Sequence, residues 1–284
     1  MDSIGRFNLA IDYIEEHLKD KVDFDIIDQI TCCPSGLFAR MFSVLAGIPI
    51  SEYIRKRKLS CAAKDLIEGR RVIDVALQYG YESPDAFSQA FKNMHHVTPR
   101  DVLKRQFQLV HVPRITFSMT MKGVQTMKYQ LIQKEAFTVV GRSIKTSSED
   151  NMKHHTITKF WQDAPKQGLD ETLCHLGPDK PFLGVCYGME KDGSFRYMIG
   201  VETTKNDQTL EKLEIPKSTW AVFESIGPMP DAIQRVWRQV YEDFFPSSGY
   251  RHAGTPDFES YPESGSDRKD YRCEVWIPIV KQDK

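Results

Sequence analysis

Residues 71–100 read RVIDVALQYGYESPDAFSQAFKNMHHVTPR, and every assignment in the first hundred residues leans on them. Ile73, Ala76 and Leu77 fall at i, i+3 and i+4, which predicts a short amphipathic helix stopping at Gly80. Ser83 is placed to cap a second helix with Pro84 at its first position. Ala86, Phe87, Ala90, Phe91 and Met94 then form one apolar stripe, leaving Asp85, Ser88, Gln89 and Lys92 outside. Two short helices on a tight turn describe a helix-turn-helix, although a plain helical hairpin reads the same way on this segment alone.

The same pattern occurs a second time. Shifted by 49 positions, Phe38 falls on Phe87, Met41 on Ala90, Phe42 on Phe91 and Leu45 on Met94, while Ile26, Ile27 and Ile30 fall on Val75, Ala76 and Tyr79. Between the copies, SEYIRKRKLSCAAKDLIEG (51–69) reads as one long helix with Tyr53, Ile54, Leu59, Ala62, Ala63, Leu66 and Ile67 as core positions and Gly69 as its stop. Some 18 residues of helix span about 27 Å, close to the roughly 34 Å between successive major-groove faces.

SEYIRKRKLSCAAKDL, IDVALQYGYESPDAFSQAFK and the Thr98-Pro99 pair resemble the DNA-binding domain of AraC-type transcription regulators. That domain carries two helix-turn-helix units on a linker helix. The resemblance covers residues 1–106 and implies double-stranded DNA as a partner, with RNA polymerase as a second one.

Composition sets the outer bounds. The chain has 284 residues, 40% hydrophobic and 27% charged, which suits two soluble domains. No segment approaches 18 apolar residues and the start is polar, so neither a membrane span nor a signal peptide is expected. Six cysteines and eight histidines show no metal-ligand spacing, so no metal and no cofactor are expected and the thiols read as reduced, in a cytoplasmic, bacterial protein. A net charge of −1 gives no global support for nucleic-acid binding. Its distribution does: residues 1–28 hold three basic and eight acidic residues, whereas residues 40–71 hold eight basic and three acidic.

In order, Ser3 caps a first helix to about Leu18, with Ile4, Phe7, Ile11, Ile14 and Leu18 facing inward. In the first reading helix, PSGLFARMFSV (34–44), the outward positions are Ser35, Gly36, Ala39, Arg40 and Ser43. Arg40 alone reaches far, either bidentately to guanine or to phosphate. AraC-type domains usually carry larger polar or aromatic residues where Gly36 and Ala39 stand. In the second unit Gln89 is the expected base reader and Ser83, Ser88 and Lys92 the phosphate contacts. Asp85 is either a favourable charge at a helix N-terminus or a cytosine reader.

Past a last short helix after Thr98-Pro99, fading near Gln106, residues 107–113 read as a linker. The texture of residues 114–284 is then α+β: strands ITFSMTM and MKYQLIQKEAFTVVGRSIK, a helix from about Asn151 to Lys166, and strands FLGVCYGME and SFRYMIGVET. The order recurs with EKLEIPKSTWAVFESIGP, the helix DAIQRVWRQVYEDFF, and strands PDFESYPES and YRCEVWIPIVK. Such a duplicated strand-helix-strand-strand unit predicts two sheets edge to edge with a groove between them.

GVCYG, IPKSTWAVFESIGP, PDFESY and RCEVWIPI resemble the GyrI-like effector-binding domain, also called SOUL-type or multidrug-sensing. The resemblance implies a small, aromatic or cationic effector anchored by a glutamate on the last strand, which here is Glu274. From the residues alone, period-2 alternation puts Glu274, Trp276 and Pro278 on one strand face. An aromatic wall with one carboxylate suits an organic cation. Tyr187, Trp220 and Trp161 are candidate walls and Glu259 a second candidate carboxylate. The functional expectation is a DNA-binding transcription regulator, not an enzyme and without catalytic residues. The alternatives are a small-molecule hydrolase using Glu274 as a base, or a drug-sequestering protein.

Overall fold

A computed structural model of the chain describes residues 3–102, 108–118, 127–262 and 268–282. They fall into two compact units that do not follow chain order. One comprises Ser3–Thr31 and Ile48–Ser118; the other takes Cys32–Gly47 together with the described residues from 127 onward.

The first unit is helical: α1 (Ser3–Glu16), α2 (Phe24–Thr31), α4 (Ile50–Ile67), α5 (Val72–Gln78), α6 (Pro84–His95) and α7 (Pro99–Val102). The helix α3 (Ser35–Ala46) belongs to the second unit. Phe7, Ile11, Ile14 and Leu18 are buried as the stripe requires. Ser83 caps α6 by accepting from the Ala86 amide at 3.1 Å, and Phe87 and Phe91 are fully buried beside Leu59, Leu66, Val75 and Tyr79. The inward face of α5 differs from the expected one. Val72, Val75, Ala76 and Tyr79 pack on the core, while Ile73 and Leu77 are 46% and 61% exposed, because Tyr79 rather than Leu77 fills the space beside α4. Ile67 and Ala86 likewise face outward.

The duplication extends to the backbone. Gly47 after α3 and His96 after α6, equivalent under the repeat, both adopt the left-handed conformation, with φ of 70° and 61°. The basic run on α4 is partly spent inside the unit. Arg57 donates to both oxygens of Glu15 and to the Val112 carbonyl, and Lys58 donates to the Tyr79 carbonyl. Residues 108–118, expected as a linker and the start of a strand, instead run along α1 and α4 without regular secondary structure. Val112 is held by Ser60, Ile115 by Tyr53 and Phe117 by Asn8. Residues 103–107, where the last helix was expected to fade, lie outside the described residues, as do 119–121 of the expected ITFSMTM strand.

The second unit is built on a sheet of β1 (Gln130–Lys134), β2 (Phe137–Ser147), β3 (Phe182–Tyr187), β4 (Ser194–Glu202), β5 (Glu211–Ile215), β6 (Ser218–Ile226), β7 (Tyr250–His252), β8 (Asp257–Tyr261) and β9 (Arg272–Lys281). The order is β1-β6-β9-β8-β3-β4-β2-β5, with β7 added on β9. The two halves are not separate sheets with a groove between them. Pairing of β3 with β8 joins them into one sheet, Val185 opposite Phe258 and Gly184 opposite Glu259. Residues 135–136 connect edge strand β1 to β2 near the far edge, and residues 216–217 do the same for β5 and β6, so the sheet must curve back on itself.

Its inner face is a buried core of Val139, Val185, Met198, Trp220, Val222 and Phe258. The other face carries helices. The single helix expected near 151–166 is two pieces, α8 (Ser148–His154) and α9 (Thr156–Asp163), and a further helix beyond it, α10 (Leu169–Leu176), was not expected. His155 in a left-handed conformation separates the first two, and a 3₁₀ turn at Pro165–Gln167 followed by left-handed Gly168 separates the last two. The second helix is α11 (Asp231–Gln239), continued by a π-turn at Val240–Phe244 and α12 (Phe245–Ser248). Among the described residues no single helix is long and apolar enough to cross a membrane.

Candidate effector site and reading helices

Strand alternation sorts the expected effector residues onto two faces. Trp220 is fully buried in the inner core and stands 6.2 Å from Trp276, which stacks on Phe258 at 5.3 Å. Glu274 shares that face, opposite Ser260 and Glu224, and accepts from its neighbour Trp276 Nε1 at 2.8 Å. Tyr187 also packs on the inner core, its hydroxyl accepting from Arg196 Nε at 3.1 Å. These four do not line one pocket with the other two, because odd and even positions of a strand diverge.

Glu259 and Trp161 lie on the helix-bearing face, and there the chemistry converges. Glu259 is 9% exposed. Its Oε1 accepts from Trp237 Nε1 at 2.8 Å, and its Oε2 from the Tyr261 hydroxyl at 2.8 Å and the Tyr197 hydroxyl at 3.1 Å. Trp161 Nε1 donates in turn to the Tyr197 hydroxyl at 2.9 Å, and its ring meets Tyr261 edge-on at 5.0 Å. One indole and two phenols therefore donate to one carboxylate, and a second indole braces both phenols. Gly184, directly across the β3–β8 ladder, makes this possible: a Cβ there would stand 2.1 Å from the Tyr197 hydroxyl oxygen and 3.2 Å from Glu259 Oε2.

Among the described residues no cation stands within ion-pair distance of Glu259. Burial pushes its carboxyl above the usual range, against hydrogen bonds from Trp237 and Tyr261 that pull it down. Burial likewise drives the Tyr197 and Tyr261 hydroxyls up, so both stay neutral donors. Sequence reasoning named Glu259 and Trp161 but missed Trp237, Tyr197, Tyr261 and Gly184. The glycine in FLGVCYG, mid-strand where β-formers are favoured, was the available signal.

A second carboxylate, Asp257, lies two residues along the same face. Its Oδ2 takes Arg40 Nη1 at 2.6 Å and His252 Nε2 at 3.1 Å. Burial raises the Asp257 carboxyl, but the charge of Arg40 and the His252 hydrogen bond prevail and hold it below the usual range.

The two reading helices differ in exposure. On α6, Asp85, Gln89 and Lys92 are exposed and Ser88 is half-buried. Gln89 Nε2 donates to Asn93 Oδ1 at 2.9 Å, and the Ser83 oxygen is engaged as the cap. On α3 the positions expected to face outward are not surface. Ser35 is 2% exposed, Ala39 4% and Ser43 6%, Gly36 is buried, and the Arg40 side chain is 11% exposed. They pack within the second unit, a partner that the helical period does not reveal.

A duplicated helix-turn-helix with a curved sheet that carries a buried carboxylate site on its helix-bearing face defines a transcription regulator with an effector-binding domain. Residues 29–105 match a helix-turn-helix domain family, and residues 130–279 match the integron-associated effector binding protein family. The chain is 33% identical over 299 residues to the right origin-binding protein of Escherichia coli strain K12, covering 98% of this chain and 99% of that one. It is 36% identical over 100 residues to the HTH-type transcriptional regulator YbfP of Bacillus subtilis, 34% of each chain, so that match spans about a third of YbfP. Among solved structures, SAV2435 bound to tetraphenylphosphonium aligns with TM-score 0.49 and 26% identity over 54% of this chain and 94% of that one. The chain belongs to the AraC-type regulators that carry a GyrI-like, integron-associated effector-binding domain.

Proposed function

We propose that the second unit senses an aromatic monocation at Glu259 and that the chain couples this to binding of double-stranded DNA through α3 and α6. RNA polymerase is the partner this implies. The observation that carries the effector reading is the buried Glu259 carboxylate among Trp161, Trp237, Tyr197 and Tyr261, which feels the charge of Arg40 but has no ion-pair partner among the described residues. An ionised carboxylate taken from water without a counter-charge costs several kcal/mol, and a cation supplying that charge regains it. The four rings add cation–π attraction and favour weakly hydrated aromatic cations over compact hydrated ions. Glu274 is the poorer anchor, because it sits on the inner face beside a packed core.

On the DNA side, Gln89 is suited to an adenine edge, Lys92 and Ser88 to phosphate, and Asp85 to the helix N-terminus it occupies. The hydrolase alternative draws no support from the geometry around Glu274, which is hydrogen-bonded to its own strand neighbour.

Titration of the full chain with methyltriphenylphosphonium, followed by tryptophan fluorescence, tests the effector reading. Glu259→Gln is expected to weaken binding about tenfold or more, equivalent to about 1.4 kcal/mol, and Glu274→Gln to leave it within about twofold. Equal affinity of wild type and Glu259→Gln refutes the assignment.

A further inference from the structure

Under the repeat, Arg40 on α3 is the counterpart of Gln89 on α6. Gln89 is exposed, while Arg40 is withdrawn into the second unit. Besides its bond to Asp257, the Arg40 guanidinium carbon lies 4.4 Å from the centre of the Trp237 ring. The same indole donates through Nε1 to Glu259. Arg40 therefore stands at the edge of the Glu259 site, with a carboxylate on one side and an aromatic face on the other. That pair of contacts is what a delocalised cation requires.

The small residues of α3 permit this docking. A Cβ on Gly36 would stand 2.6 Å from the Glu190 carbonyl oxygen, and Ala39 lies 3.7 Å from the Cβ position of Gly193. A side chain at Gly36 has no room in the docked state, and Ala39 is buried in it. Beside the Arg40–Asp257 pair a cleft of about 60 Å³ remains, lined by Pro34, Leu37, Cys186, His252 and Asp257 among others. Ligand pockets run to roughly 300–1,000 Å³, so this cleft offers an aromatic cation no room while Arg40 holds Asp257 and the face of Trp237.

We propose that α3 is an internal ligand of the effector site. Arg40 fills a cation subsite made by Asp257 and Trp237, the first reading helix is withheld from DNA while it does so, and an aromatic cation drawn by Glu259 displaces it. The displacement rests on the effector reading above; the withholding of α3 does not. A ligand that binds only the undocked state shifts the population toward it, and the reciprocal holds for DNA.

The test is the rate at which phenylglyoxal, an uncharged arginine reagent, modifies Arg40 in the full chain, read by peptide mass mapping with exposed Arg71 as internal standard. In wild type Arg40 is expected to react about tenfold or more slowly than Arg71, and saturating methyltriphenylphosphonium to remove most of that protection. Gly36→Ser, which puts a side chain against the Glu190 carbonyl, is expected to expose Arg40 without any cation and to bind the cation roughly fivefold more tightly, the internal competitor being gone. Asp257→Asn is the second variant, expected to expose Arg40 from the opposite side of the contact. Full reactivity of Arg40 in wild type, or unchanged protection in both variants, overturns the docking. Cation binding that leaves Arg40 protected overturns the competition alone. Absence of cation binding by both wild type and Gly36→Ser overturns the effector reading and the competition with it, and leaves the docking judged by the reactivity of the variants.

Discussion

Glu259 carries a pH signature that separates it from every group around it. Burial raises its folded-state carboxyl above the unfolded value, so its contribution to stability is full below the ordinary carboxylate range and is lost as pH rises through the raised value. A bound cation favours the ionised form, so affinity for methyltriphenylphosphonium is expected to climb with pH above about 4.5, the ordinary carboxyl value, and then level off. The groups that face it are Trp237, Tyr197, Tyr261, Arg40 and Cys186. Asp257 acts with the opposite sign: its folded carboxyl is held low, and its contribution is lost as pH falls. Glu259→Gln is therefore expected to flatten the rise in affinity while keeping the acid-side loss of stability; a rise that persists in that variant assigns it to another group. Gly184→Ala probes the same network without touching a charge. Its methyl group has no room beside the Tyr197 hydroxyl, so a loss of about 1–3 kcal/mol in denaturant unfolding is expected, with weakened cation binding.

At the scale of elements, the repeat makes a quantitative statement about α3 and α6. Gly47 and His96 close the two helices in the same left-handed conformation, which costs a side chain about 1 kcal/mol that glycine does not incur. His96→Gly is expected to stabilise the first unit by up to about 1 kcal/mol and Ser83→Ala to destabilise it by about 1 kcal/mol, both read from urea unfolding. No gain from the glycine would show that His96 earns its conformation through contacts of its own. The ends and spacing of these helices were legible because caps, apolar stripes and the 49-residue shift are local properties. The inward face of α5 was not: choosing between Leu77 and Tyr79 depends on the cavity that α4 leaves, which no period contains. The strand carboxylates show the same limit. Glu259 and Glu274 both sit mid-strand beside aromatics, and only the pairing of β8 with β3 and β9 decides which one faces the helices and which the inner core.

For the whole molecule, the decisive quantity is how many phosphates the chain neutralises with and without its effector. Net charge is −1 and Arg57 is consumed by Glu15, so affinity for DNA cannot come from bulk charge and must come from the few cations that the reading helices and α4 present. With α3 docked, one reading helix is available; with α3 released, Arg40 and the amides at the start of α3 join it. The slope of log affinity against log salt gains about one unit per added phosphate contact. A duplex enriched from a random pool by the full chain is expected to bind more tightly in saturating methyltriphenylphosphonium and with a salt slope steeper by about one to two units. Gly36→Ser is expected to show the steep slope without the cation and no further change on adding it. A slope that the cation leaves unaltered, while Arg40 becomes reactive toward phenylglyoxal, would mean that α3 leaves the effector site without reaching DNA. The regulatory output would then lie in contacts with the transcription machinery instead of in the grip on the operator.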